Sequence, residues 1–286
     1  MSLTDSIVTD VTIFQFNPVT LQRFNASTHS MPVVLIEKQT PRITVITLNR
    51  PERRNALTIE LMGDVAAAIE NAAADPAQRI VILRGAGKAF CTGLDLHEAI
   101  KHEPRETAEM VARMLLALAE TRLVTIAMVH GAAVAGGAGV MSACDFVIAS
   151  DHTKIGYPEV RRGLVASLVM TFLRRQVRER DLRELLFASE LINAERAREM
   201  GLVNRVVPAA DLESEVQKIT ASILQGAPGA ITNSKRLLEQ LWPTSVREDI
   251  ERALSNHLDA RESAEAIEGI TAFNEKRPPN WAAPAS

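Results

Sequence analysis

From Val33 to about residue 170, short apolar strands alternate with amphipathic helices; beyond that point the pattern is almost wholly helical. This order restricts the fold more than any other feature, because each strand and helix must bury one face against its neighbours in a layered core. Comparable units recur roughly every 45 residues, a spacing that points to repeated ββα-like turns and not one long parallel sheet. An α/β core followed by a helical C-terminal part is the architecture this predicts.

The expected elements run in order. Val33-Val34-Leu35-Ile36-Glu37 and Ile43-Thr44-Val45-Ile46-Thr47-Leu48 alternate like two strands of a hairpin around a Pro-Arg turn. A polar loop spans 49–55, then a helix with Thr58 as N-cap presents Leu61, Val65 and Ile69 on one face. Residues 79–84 read as a buried strand closed by Gly85-Ala86-Gly87. Helix is expected over 107–121 and 136–144, and strand over 124–130, 146–149 and 154–157. Helices then follow at 182–187, 194–200, 211–224, 230–241 and 246–272, interrupted by a short strand at 203–207.

A chain of 286 residues suits one large domain, or one with an appended subdomain. Hydrophobic residues make up 47% and aromatics only 4%, so the core must be built mainly of Ala, Val, Leu, Ile and Met. The net charge of −3 argues against nucleic-acid and membrane-surface partners, although a local basic cluster could hold phosphates. No apolar run approaches the ~18 residues of a membrane span. The start, Met1-Ser2-Leu3-Thr4-Asp5, lacks the basic and apolar segments of a secretory leader, so a cytoplasmic location is expected. Cys91 and Cys144 have no ligand or redox spacing and read as buried small residues in a reducing compartment. Residues 1–30 stand apart, with one isolated strand-like stretch from Ile7 to Phe16. They read as a start-site or other non-native extension that docks loosely.

Two glycine-containing turns follow buried strands and lead into helices. In Phe90-Cys91-Thr92-Gly93-Leu94-Asp95-Leu96, Gly93 permits a sharp turn that leaves the Leu94 N–H at a helix start. In His130-Gly131-Ala132-Ala133-Val134-Ala135-Gly136-Gly137-Ala138-Gly139, the Gly136 N–H can point outward from a second helix start. Free N–H groups there attract negative charge. Two converging on one oxygen form an oxyanion hole, while either turn alone also serves close packing. The third element is Glu159, after Gly156-Tyr157-Pro158, in an apolar stretch that could raise its pKa into acid/base range. By itself it could equally be a capping or Arg-paired residue.

Other motifs fail on inspection. Gly85-Ala86-Gly87-Lys88 lacks the first glycine and the Ser/Thr of a phosphate-binding loop. Gly137-Ala138-Gly139 is followed too soon by a strand for a dinucleotide-binding unit. There is no GxSxG, so His130 reads as a satisfied strand-end residue. His97, Glu98 and His102 read as a solvated helix face, and Arg161 and Arg162 as surface or paired charges that could alternatively meet a substrate carboxylate.

Together these segments resemble the crotonase (enoyl-CoA hydratase/isomerase) superfamily. The resemblance rests on Asn49-Arg50-Pro51 with Arg54-Asn55-Ala56-Leu57, on 88–96, on His130-Gly131-Ala132-Ala133 through Gly136-Gly137, and on Ala143-Cys144-Asp145. It continues through Ile155-Gly156-Tyr157-Pro158-Glu159, the stretch 194–207 and Phe273-Asn274-Glu275-Lys276-Arg277, in order over roughly 33–278. It implies an α/β, crotonase-like spiral of ββα turns with a C-terminal helical trimerisation region. Residues 31–205 would form the core with the CoA and catalytic site, and 206–286 the helical region. The implied substrate is an acyl-CoA thioester, with no metal or redox cofactor and with assembly as a homotrimer or hexamer. Leu94 and Gly136 match the family's oxyanion donors and Glu159 its catalytic acid/base. Arg54 falls where CoA phosphates are met, Thr92 and Leu96 line the adenine region, and Phe273 and Lys276 match residues that touch CoA, including a neighbouring subunit's.

One departure limits the implied reaction. Hydratases of the family usually carry two glutamates, and the first falls on Gly139, which has no side chain. Ser167 also replaces a usual glycine. Hydration and double-bond isomerisation, each with Glu159 as acid/base, both stay open. Decarboxylation through an enolate, or a catalytically weak CoA-binding protein, are the alternatives.

Overall fold

The alternating segments resolve into two sheets, with each turn of the chain contributing to both. The computed structural model describes residues 31–282, so the readings made for 1–30 lie outside the described residues. The hairpin forms as expected from β1 (Val34–Thr40) and β2 (Ile43–Leu48), turning at Pro41-Arg42. β2 is buried along its length, whereas β1 is exposed beyond Val34. Helix α1 (Ile59–Ala74) begins where Thr58 accepts a hydrogen bond from the Leu61 N–H, and it buries Leu61, Val65 and Ile69.

β3 (Ile80–Gly85) pairs in parallel with β2 and leads through the first glycine turn to the short α2 (Leu96–Ala99) and then α3 (Pro104–Glu120). β4 (Val124–Val129) adds beside β3, and the chain passes at once through β5 (Ala132–Val134) into α4 (Gly136–Ser142). The next turn repeats this plan: β6 (Phe146–Ser150), β7 (Lys154–Gly156), a 3-10 turn at Pro158–Arg162 and α5 (Ser167–Gln176). α6 (Glu179–Arg183) runs into a π turn, Glu184–Ala188; β8 (Ile192–Asn193), α7 (Ala194–Met200) and β9 (Arg205–Val207) follow.

The large sheet has the order β1-β2-β3-β4-β6-β9, parallel except at β1; the small one has the order β5-β7-β8. Isolated bridges Cys91–Ala133 and Leu57–Leu94 extend the small layer into the earlier turns. The contrast drawn from the alternation therefore dissolves. The chain is a spiral of strand–strand–helix turns, and stacking the first strand of every turn produces a parallel run.

The C-terminal part comprises α8 (Leu212–Gln225), α9 (Pro228–Gln240), α10 (Val246–Arg261) and α11 (Ala264–Asn274). The single helix expected over 246–272 is broken after Arg261, because the Ser263 hydroxyl caps α11 by accepting from the Ala266 N–H. α8 packs on the large sheet, α10 against α3 and α5, and α11 against the 158–162 turn and α2. Among the described residues, no helix is long and apolar enough to cross a membrane.

Candidate active site

The first glycine turn is built so that one N–H is left over. The Leu57 N–H donates to the Gly93 carbonyl at 2.8 Å, and the Asp95 N–H donates to the Leu57 carbonyl at 2.9 Å. The Leu94 N–H between them has no acceptor among the described residues. In the second turn Ala135 adopts φ 52°, ψ −129°, a conformation that L-residues avoid and that costs on the order of 1–3 kcal/mol. Its own N–H is anchored on the Gly156 carbonyl at 2.8 Å. The twisted Ala135–Gly136 peptide leaves the Gly136 N–H at the first position of α4, with no side-chain cap.

The two turns touch. A methyl carbon on Gly93, where φ is +87°, would lie 3.1 Å from the Gly136 nitrogen and 2.9 Å from the Ala135 Cβ. One on Gly136 would lie 3.8 Å from the Leu94 nitrogen. Both free N–H groups therefore border one small space, and Gly93 is required there both for its backbone angle and for its lack of bulk.

The polar loop before α1 clamps this arrangement. Arg50 pairs with the buried Asp95 at 3.2 Å, and Arg53 approaches the same carboxylate at 3.6 Å. Asn55 is wholly buried; its side chain donates to the Ala86 and Ala89 carbonyls at 2.9 and 2.8 Å and accepts from the Arg50 N–H. Neither Asp95 nor Asn55 was assigned a role from sequence, because their partners are distant along the chain. Arg54 is exposed at φ 51°, and its carbonyl accepts from the Thr92 hydroxyl at 3.3 Å, so these two proposed CoA contacts do meet. Leu96 is buried as the first residue of α2. Phe273 is part-exposed on α11, which packs on α2, and Lys276 lies exposed just past that helix. No described contact joins Phe273 or Lys276 to Arg54.

Glu159 sits on the 3-10 turn that Pro158 opens. α11 presses on this turn so closely that a Cβ on Gly269 would lie 2.3 Å from the Arg162 carbonyl carbon. The residue as a whole is half-buried, yet its Oε2 is sealed and has no hydrogen-bond partner among the described residues. Burial pushes its pKa up to about 7, against smaller lowering effects from its own backbone N–H and the Arg162 charge. Arg162 stacks on the Phe273 ring at 4.4 Å, and its Nε is likewise buried without a partner. Tyr157, fully buried, meets the Ser142 hydroxyl at 3.0 Å.

Gly139, within α4, is a filled position. A Cβ there would meet Val169 Cγ2 at 2.6 Å, so Val169 of α5 occupies the room a larger residue would need. The other candidates have ordinary partners. Arg161 donates to the Ser189 hydroxyl and the Ala188 carbonyl, and His130 meets the Gly87 carbonyl at 2.9 Å. His102 faces Glu106 at 3.6 Å on the helix surface. Both cysteines are buried free thiols, and burial pushes them up to about 12. A cavity of about 250 Å³ between the large sheet and α8 is lined by none of these residues.

Comparison with known proteins gives the family and the fold. The profile of the Enoyl-CoA hydratase/isomerase family matches residues 38–284. A crotonyl-CoA hydratase of Syntrophomonas wolfei is 32% identical over 257 residues, covering 87% of this chain and 97% of that protein. A mevalonyl-coenzyme A hydratase of Aspergillus fumigatus is 33% identical over 266 residues, covering 89% and 98%. Among solved structures, carnitinyl-CoA hydratase from Mycobacterium avium matches with a TM-score of 0.79 at 30% identity, covering 89% of this chain and 100% of that one. An enoyl-CoA hydratase/isomerase from Xanthobacter autotrophicus Py2 also gives 0.79, at 31% identity over 86% and 94%.

The chain belongs to the enoyl-CoA hydratase/isomerase family and has its α/β crotonase fold. It is an enzyme of hydratase type that acts on acyl-CoA thioesters.

Proposed function

We propose that the protein adds water across the C2–C3 double bond of a 2-enoyl-CoA thioester, with Glu159 as its only acid/base carboxylate. The observation that carries this is the sealed, unpartnered Glu159 Oε2 with its pKa raised to about 7. At that value the group is present in both protonation states and can take and return a proton at neutral pH. Glu159 removes a proton from water as the water oxygen bonds to C3. The double-bond electrons move to the thioester oxygen, where the Leu94 and Gly136 N–H groups receive the charge; such donors are each worth about 3–4 kcal/mol. Glu159 then gives the proton to C2, so the product gains one H and one OH. Hydratases among the relatives support this direction of chemistry.

A specific observation favours a second reaction, double-bond isomerisation. Val169 fills the space at Gly139, so no second carboxylate is there to hold the water. Glu159 alone suffices to carry a proton between C4 and C2. Mass spectrometry of 2-enoyl-, 3-enoyl- and branched enoyl-CoA thioesters in deuterated water separates the two. Mass gain by water addition supports hydration, and deuterium exchange with a shifted double bond supports isomerisation. Full turnover by Glu159→Gln overturns both.

In this reading Arg54, Thr92 and Leu96 bind the CoA nucleotide, and Phe273 and Lys276 touch CoA from the C-terminal side. Residues 31–205 hold the site, and the helices of 206–286 assemble a homotrimer or a dimer of trimers. Leu237 and Leu238 on α9 and Leu241 just past its end, left 53, 67 and 73% exposed, support such an assembly. The two free thiols support a reducing, cytoplasmic setting.

A further inference from the structure

Two opposite charges share one turn without touching. Among the described residues, four buried side-chain atoms lack a hydrogen-bond partner, and two of them, Glu159 Oε2 and Arg162 Nε, belong to the 3-10 turn Pro158–Arg162. Side chains three residues apart on such a turn eclipse, so both project from one side of it. No ion pair or hydrogen bond joins them among the described residues. That separation matters. A guanidinium in direct contact would hold a carboxyl about 1–3 units down and occupy the oxygen that must carry the proton. One held further off acts through its field alone and leaves Oε2 free.

The fold fixes where this guanidinium sits. The turn ends at Gly163 in the left-handed region, at φ 64°, where a Cβ would collide with the Glu265 carbonyl of α11. Gly269 of α11 lies equally close to the backbone of Arg162 itself. With no side chain at either glycine, α11 packs backbone to backbone on the residue that carries the charge. One helical turn beyond Gly269, on the same face, the Phe273 ring receives the Arg162 guanidinium at 4.4 Å. Burial lowers the Arg162 pKa and the Glu159 charge raises it, and the guanidinium stays charged at neutral pH.

Other charges around the turn have partners or face solvent. Arg161 donates to the Ser189 hydroxyl and the Ala188 carbonyl. On the π turn packed beside it Glu184 pairs with Arg196, and on α11 Glu268 pairs with Arg277. Glu265, Glu275 and Lys276 are exposed. His257 of α10 meets the Val165 backbone beyond the turn, and burial and the Arg261 charge lower its pKa. Tyr157, tied to the Ser142 hydroxyl, is kept neutral by burial. Arg162 is the charge that acts on Glu159.

We infer that Arg162, held by Phe273, is a positioning residue for Glu159: its fixed positive charge keeps the carboxylate ionised often enough to act as a base, a role that rests on the acid/base reading of Glu159. The C-terminal helix α11 thus contributes to proton transfer through a charge it holds in place.

The test follows the ionisation of Glu159 in two ways. One is the midpoint of the pH–kcat profile with an enoyl-CoA. The other is the infrared titration of its protonated carboxyl band, assigned by loss of that band in Glu159→Gln. Arg162→Met is expected to move both midpoints up by about half to one pH unit, so that kcat well below the midpoint falls about three- to tenfold. Arg162→Lys keeps the charge and is expected to stay near the wild-type midpoint. Phe273→Leu keeps the guanidinium but removes its support. It is expected to shift the midpoint in the same direction by less, and it carries the test if Arg162→Met fails to fold. An unmoved midpoint in Arg162→Met, or in Phe273→Leu where that variant stands alone, overturns the role, even if kcat falls equally at every pH. Equal shifts in Arg162→Lys and Arg162→Met overturn it too, because charge would then not be the cause. A band midpoint that moves with Arg162→Met, in a protein whose wild type turns over no enoyl-CoA, keeps the effect of Arg162 on Glu159 and sinks the hydratase reading.

Discussion

Val169 stands where a side chain at Gly139 would have to go: its Cγ2 lies 2.6 Å from the position a Cβ would take there. Gly139→Glu alone is therefore an overpacking change, expected to destabilise the protein by about 1–3 kcal/mol without raising hydration. Combined with Val169→Gly, the second carboxylate has room, and the double variant is expected to recover stability relative to the single one. Thermal melting and water-addition rates on all three proteins check this.

Glu159→Gln is expected to lower turnover by about 10²- to 10⁴-fold while leaving CoA affinity in place. In the wild type, a rate that needs ionised Glu159 as base rises with pH and levels off above about 7. Its linkage to stability has the opposite slope. Burial raises the folded pKa from 4.5 to about 7, so the native state holds the proton more tightly. Stability from this group is full below 4.5 and declines as pH rises to about 7. Denaturant titrations across that window should show the decline in the wild type and its loss in Glu159→Gln.

Gly93→Ala places a methyl group 3.1 Å from the Gly136 nitrogen and forces an L-residue to φ +87°. The strain is expected to cost about 1–2 kcal/mol of stability. Displacing one oxyanion donor is expected to lower kcat by about 10²- to 10³-fold. A fall in kcat much larger than any change in the affinity for a saturated acyl-CoA is the expected pattern; the reverse would remove these N–H groups from the mechanism.

Asp95 titrates in the other direction. Burial alone would raise its pKa, but the Arg50 hydrogen bond and the Arg53 and Arg50 charges outweigh it and hold the carboxyl below 3.8. Its contribution is thus present above 3.8 and is lost as pH falls through the lower folded value. Asp95→Asn is expected to destabilise at neutral pH by about 3 kcal/mol, by leaving Arg50 largely buried and unpaired, and to flatten the acid limb of the stability curve. Acid unfolding of the two proteins decides it.

Features written in neighbouring residues were legible in the chain before any fold was known. The hairpin at Pro41-Arg42, the Thr58 cap and the glycine at the positive-φ turn of 93 follow from local dihedral preferences and spacing. The helix break at Ser263 is of the same kind, a local cap whose signal is masked by the long amphipathic stretch around it. β5 and β8 are too short for periodicity to register.

What the sequence determined, then, was the ordered set of turns and the residue types that chemistry needs at them. Only the tertiary structure decided which of those residues meet, because desolvation and distance belong to pairs far apart along the chain. Gly139 without a side chain is visible in the sequence, but Val169 filling its space is not. Glu159 is visible, but its sealed oxygen and raised pKa arise from what α11 and the surrounding turns exclude.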